Sequence, residues 1–253
     1  MNRPVSAVVA VLALAGLCAG CAGGPAPLPT GPPIPPAGQP LVYAALGASE
    51  TAGAGLDDPA LRERYAWPQL FFNTVLPRAA TYYNFAVSGI TTEAALQDEL
   101  PQALAVHPDV VTVFFNIDDL VNGVSPETFG VNLDTIVHAM RQGGRARVLV
   151  ANAPAIDGLP AFKACLGAGS GSVQCPVPAG VAIPSKDVID AAVNAYDAAI
   201  TAVVANEGAT LVDLRAHSDE LTAHPEDVAA DGLHPSALGD QVLASLFVAA
   251  YRR

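Results

Sequence analysis

The stretch Leu41-Val42-Tyr43-Ala44-Ala45-Leu46-Gly47-Ala48-Ser49-Glu50-Thr51-Ala52-Gly53 decides how the rest of the chain is read. Six uncharged, largely apolar residues bounded by a glycine form a run too short for an ordinary helix, which reads as a strand buried on both faces. The small residues that follow make a tight turn into a helix. Runs of the same kind recur at Tyr82–Val87, Val110–Ile117, Arg147–Asn152 and Thr210–Leu214. Between them the apolar spacing changes to that of helices. Phe129, Leu133, Ile136 and Met140 repeat at intervals of four and three, and so do Ile189, Val193, Tyr196, Ile200 and Val203, with Asp187, Asp190, Asn194 and Asp197 on the opposite face. Ser125-Pro126-Glu127 and Ser185-Lys186-Asp187 offer N-cap chemistry ahead of both helices. Strands interleaved with helices predict a parallel five-stranded sheet covered on both faces, a three-layer α/β/α domain over 41–253. Ligands of such sheets bind beyond the carboxyl ends of the strands, so the residues just after each strand are the functional candidates.

Composition narrows the partners. The 253-residue chain carries 24 acidic and 12 basic side chains, a formal charge of −12, and its few Lys and Arg are scattered. Nucleic-acid binding by counterion release needs clustered cations, so a nucleic-acid partner is excluded. Of the 22 prolines, eight fall between Pro25 and Pro40, where nearly every residue is Gly, Ala or Pro. Proline fixes φ and removes donors, so 22–40 is an extended spacer rather than helix or sheet. Before it, Arg3 and the uncharged, apolar Val5–Leu17 have the build of a secretory leader and are too short to span a bilayer.

Two strand-end segments stand out chemically. Ser49 lies at a strand-to-helix turn among small residues, where a hydroxyl is exposed and its backbone N–H is free to meet an oxyanion. Asp231-Gly232-Leu233-His234-Pro235 puts a carboxylate three residues before an imidazole, close enough to fix its tautomer and stabilise the imidazolium. A capping Asp beside a surface His is the plain structural alternative. The other histidines, His107, His138, His217 and His224, lack this combination of orienting carboxylate and strand-end position.

With these segments the chain resembles the SGNH, or GDSL-type, serine hydrolase family across essentially all of residues 41–253. Gly47-Ala48-Ser49 matches the nucleophile block, with Ala48 where the family commonly has Asp. Asn84-Phe85-Ala86-Val87-Ser88-Gly89 matches the glycine block, and the final block matches Asp231 to Pro235. The resemblance implies a flavodoxin-like fold, Ser49 as nucleophile, His234 as general base, Asp231 as its partner, and an oxyanion hole using the backbone of Ser49 and Gly89. The third block departs. The family's Gly-x-Asn-Asp is Asn116-Ile117-Asp118-Asp119, so a carboxylate stands where the amide donor belongs. Two compensations are open: Asn116, on the same face as residue 118 if the segment is extended, supplies the amide, or Asp118 is held neutral by burial and Asp119 and donates as an acid. The first is the favoured expectation.

Ala19-Gly20-Cys21 after the apolar run resembles the lipobox of bacterial lipoproteins, with Cys18 where an aliphatic residue is usual. That resemblance implies a leader of residues 1–21, a diacylglycerol thioether on Cys21 and a membrane-held, exported protein; ordinary leader cleavage at the small residues is the alternative. With Cys18 and Cys21 so assigned, Cys165 and Cys175 remain as an even pair in an oxidising compartment, which predicts a disulfide. They lie in the Gly-, Pro- and Ser-rich stretch from Pro154 to Pro184, which either shapes substrate access or is a stapled surface excursion. No phosphate-binding glycine motif or metal-ligand set occurs, and the chemistry needs no cofactor or metal. The expectation is therefore an exported, lipid-anchored serine esterase acting on a small-molecule, lipid or carbohydrate ester. A cell-envelope binding lipoprotein with a degenerate site is the alternative that Asp118 motivates.

Overall fold

The computed structural model describes residues 40–168, 173–175, 177, 183–222 and 224–253. The leader, Cys21 and the proline-rich spacer up to residue 39 lie outside the described residues.

Five strands form one sheet: β1 (Val42–Gly47), β2 (Thr81–Asn84), β3 (Val110–Phe114), β4 (Arg147–Ala151) and β5 (Thr210–Val212). All are parallel, in the order β2-β1-β3-β4-β5, which is the flavodoxin-like arrangement. Side chains alternate across β1. Tyr43 and Ala45 enter a cluster with Trp67, Phe71, Phe247 and Tyr251, whereas Ala44 and Leu46 enter one with Phe129, Leu133, Met140 and Ile200. Both faces are thus dry, which is why the strands show no polar alternation. One outer layer holds the helices Trp67–Val75 and Ala237–Tyr251, joined where Trp67 stacks on Phe247 with ring centroids 3.9 Å apart. The other holds Glu99–Ala105, Pro126–Arg141 and Lys186–Glu207, whose buried residues include every apolar position of the two predicted repeats except the half-buried Ile189.

The caps differ from one another. Ser125 Oγ accepts from Thr128 N at 3.2 Å as expected, but Ser185 makes no side-chain cap bond. Lys186 beside it pairs instead with Asp157 at 2.8 Å and with Asp190, tying the helix start to the segment after β4.

Four strands end earlier than expected, β4 by one residue, β5 by two, and β2 and β3 by three each. β2 stops at Asn84, whose side chain donates to Thr51 O at 2.8 Å and accepts from Ala86 N at 3.1 Å, turning the chain. β3 stops at Phe114, and a helix begins at Ile117 (Ile117–Val121). Asn116 and Asp118 therefore do not share a face of an extended segment, because positions two apart are rotated by about 200° where a helix takes over. The segment after β4 is also more ordered than a plain loop. It forms a 3₁₀ turn at Ile156–Gly158 and a helix at Pro160–Cys165, and Cys165 is disulfide-bonded to Cys175 with Cα atoms 4.5 Å apart.

Candidate active site

The site forms where the sheet order reverses, between the carboxyl ends of β1 and β3. Gly47 pairs with Phe114 across these strands and has φ 154°; a side chain there would lie 2.6 Å from the Phe114 carbonyl oxygen and collide with Thr51. The missing Cβ lets the chain turn at once into the short helix Ser49–Ala52. Ser49 is half-buried at its first position, and its N–H takes no hydrogen bond among the described residues. Its hydroxyl donates to Glu50 Oε2 at 3.2 Å. After β2, Gly89 is exposed, has φ 82° and likewise carries a free N–H among the described residues.

The segment before the last helix supplies the imidazole. His234 Nδ1 lies 2.7 Å from Asp231 Oδ2, while Asp231 Oδ1 accepts from Leu233 N at 2.8 Å and His234 N at 3.0 Å. Burial alone would raise the Asp231 carboxyl, but the imidazole and the two N–H groups hold it below its ordinary value. An ionised Asp231 on Nδ1 leaves Nε2 as the proton acceptor. A cavity of 60 Å³ runs past His234, Glu50, Ile117, Leu159 and Leu233, so the imidazole and Glu50 face one space.

Asp118 stands in the same electrostatic neighbourhood. Burial first, then the charges of Glu50 and Asp119, push its carboxyl up to about 6, against the opposing pull of His234. Asn116 does not reach this space. Its side chain is buried, its Nδ2 has no partner among the described residues, and it lines a separate cavity of 10 Å³ with Leu120, Val193 and Tyr196, room for about one water.

Three further carboxylates hold the site's framework. Glu99 is fully buried; Oε2 accepts from Gly47 N at 3.0 Å and Oε1 from Val87 N at 3.1 Å, bridging the Ser49 turn to the Gly89 turn. Burial outweighs those bonds and lifts it to about 8. Asp119 accepts from Thr92 N at 3.0 Å and Thr92 Oγ1 at 2.6 Å, fixing the helix after β3 against the segment after Gly89. Asp240 accepts from Trp67 N at 3.1 Å and, through burial and the nearby Glu50, is raised to about 8. The sequence pattern singled out neither Glu99 nor Asp240, nor Glu50, and pointed to Asp119 only as the neighbour that helps keep Asp118 neutral. A signal existed for two: Glu99 shares the inward face of its helix with Leu100 and Ala103, and Asp240 is the one charge in the helix Ala237–Tyr251. Among the described residues no group of three or more His, Cys, Asp or Glu is arranged to hold a metal ion.

A family model described as GDSL-like Lipase/Acylhydrolase matches residues 45–242. No curated protein matches the chain in sequence. Among solved structures, a lipase/acylhydrolase from Enterococcus faecalis is 22% identical, covering 83% of this chain and 94% of that one, with a TM-score of 0.58. An extracellular lipase from Streptomyces rimosus is 19% identical over 83% and 99% of the two chains, at 0.61. An acetyl xylan esterase from Geobacillus stearothermophilus is 16% identical over 85% and 95%, also at 0.61. At these identities the solved structures establish the shared fold.

Proposed function

The chain belongs to the GDSL-like lipase/acylhydrolase family, and from that premise we propose that it is a serine ester hydrolase in which Ser49, His234 and Asp231 carry out acyl transfer. The observation that carries the reading is the His234 and Asp231 pair, 2.7 Å apart, with His234 facing a space that Glu50, the residue after Ser49, also lines. Rotation about the Ser49 side chain exchanges its bond to Glu50 for one to His234 Nε2; such bonds are commonly loose before substrate arrives. Ser49 Oγ then attacks the ester carbonyl, its proton passes to Nε2, and the carbonyl oxygen becomes an oxyanion. The tetrahedral intermediate collapses to an acyl-Ser49 as the alkoxide leaves with the proton from His234. Water, deprotonated by the same imidazole, releases the acid.

The oxyanion is received by the N–H groups of Ser49 and Gly89 and by neutral Asp118. Asp118 takes the role previously expected of Asn116 because its elevated value, about 6, keeps a protonated population near neutral pH, whereas the Asn116 amide is enclosed. A carboxylic acid kept neutral can donate as an amide does. On the sequence patterns above, the leader within residues 1–21 directs export, Cys21 takes the lipid and becomes the mature N-terminus, 22–40 is the spacer and 41–253 the hydrolase domain. Replacing Ser49 with Ala abolishes hydrolysis of p-nitrophenyl acetate, whereas an undiminished rate would leave the binding-lipoprotein reading in its place.

A further inference from the structure

Glu50 is buried, 9% exposed, yet it does none of the bonding that occupies the neighbouring carboxylates. Glu99, Asp119 and Asp240 each accept from a backbone N–H of another segment. Among the described residues the Glu50 carboxylate accepts from no backbone group, and its one donor is the Ser49 hydroxyl, 3.2 Å from Oε2. A hydroxyl has one hydrogen to give. Here it goes to Glu50, while His234 lines the same cavity with its Nε2 unpartnered among the described residues. The contact is long for an O–H donor on a carboxylate, where about 2.5–2.7 Å is usual, so it is a hold that can be exchanged.

Resting on the esterase reading, we propose that Glu50 is a positioning residue for acyl transfer: its carboxylate holds the Ser49 hydroxyl off His234 in the free enzyme, and the same negative charge faces Asp118 and keeps it a donor. The first role follows from competition. Glu50 and Nε2 are rival acceptors for one hydrogen, so whatever Glu50 contributes to the resting state is given up before Ser49 attacks, and an interaction made only in the ground state slows the chemical step. The second role follows from position. Burial is the first cause that raises the Asp118 carboxyl; of the charged groups facing it, Glu50 from the helix Ser49–Ala52 and Asp119 from its own helix add to the rise, and His234 from the segment before the last helix opposes it. Glu50 acts in the same sense on Asp240 in the last helix, and Asp227 lines the cavity that Glu50 shares with His234. Neighbouring carboxyls do not all ionise together, so the charge of Glu50 favours a proton on Asp118. One side chain thereby governs both the resting nucleophile and the pH range over which the oxyanion finds its third donor.

The test compares wild type with Glu50→Gln and Glu50→Asp in the pH profile of kcat/KM toward p-nitrophenyl acetate, in the rate of Ser49 labelling by a fluorophosphonate at pH 5, and in the NMR titration of the Asp118 carboxyl carbon, which needs no turnover. Glu50→Gln keeps the shape and loses the charge. It should label up to about fivefold faster, the difference between a charged and a neutral acceptor, and its descending limb and the Asp118 midpoint should both move down by about half a pH unit. Glu50→Asp keeps the charge but draws it back by one methylene. It should also label faster, with limb and midpoint where wild type has them. Slower labelling of the variants overturns the hold on Ser49, a point that Glu50→Asp decides by itself if Glu50→Gln does not fold. A Glu50→Gln profile lowered at every pH, with limb and midpoint unmoved, marks a merely structural residue and overturns the proposal. Either result, with wild type hydrolysing acetate, leaves the esterase reading standing. A wild type that neither hydrolyses nor labels overturns the esterase reading and the role of Glu50 with it.

Discussion

Replacing Asp118 with Asn tests the most unusual feature of the site. Its carboxyl is raised to about 6 by burial, Glu50 and Asp119, so at pH 7 about one molecule in eleven carries the neutral acid, and at pH 8 about one in a hundred. An oxyanion donor contributes about a hundred- to a thousandfold in rate, so the ionised form adds little and activity follows the protonated fraction. Wild-type kcat/KM toward p-nitrophenyl acetate therefore falls about tenfold per pH unit above 6. Asn carries the donor at every pH. Asp118→Asn should exceed wild type about tenfold at pH 7 and about a hundredfold at pH 8, with the descending limb gone. Asp118→Ala, with neither donor nor charge, should fall below wild type at pH 5.5, by an amount set by that donor. Rates for Asp118→Asn equal to or below wild type at pH 8 would refute the neutral-acid role.

Three other outcomes follow from the same geometry. Glu99→Ala leaves the buried Gly47 N–H without its acceptor, costing about 1–3 kcal/mol, read as a lower urea midpoint, and lowers kcat because the Ser49 and Gly89 turns lose their bridge. Glu99 and Asp240 hold protons up to about 8 in the folded chain against 4.5 and 3.8 as model values. The native state binds more protons than the unfolded state across that window, so the contribution of these two groups to stability falls as pH rises from about 4 to 8. Urea midpoints at pH 5.5 and 8.5 should show the higher value at 5.5, and the reverse order would contradict the burial of these carboxyls. Breaking the disulfide, whose cysteines are 10 residues apart in sequence, removes about 2–3 kcal/mol of loop-closure stabilisation, measured as the midpoint difference between wild type and Cys165→Ser/Cys175→Ser.

The sheet was legible because its strands are buried on both faces and so read as short apolar runs. Both long helices were legible because Phe129 to Met140 and Val193 to Val203 keep one phase. Strand ends were not, since Asn84 ends β2 through side-chain bonds to backbone partners and Ile117 continues the apolar run of β3 while already belonging to a helix. That single boundary separated Asn116 from Asp118 and shifted the proposed donor from one to the other. The pair His234 and Asp231 was readable because both residues fall within one turn. Glu99 bridges positions 52 and 12 residues away, a relation that exists only after the sheet has formed. An apolar cavity likewise joins the helix Ile117–Val121, the helix Pro160–Cys165 and the start of the helix Lys186–Glu207, three stretches whose individual patterns give no sign of meeting.

The central claim is that Ser49 is a nucleophile activated by His234. Intact-mass analysis after exposure to a fluorophosphonate reads it directly. One phosphonyl adduct per chain, mapped to Ser49, absent in Ser49→Ala and formed much more slowly in His234→Ala, is the predicted result; an unmodified chain, or an adduct that persists in Ser49→Ala, would contradict it.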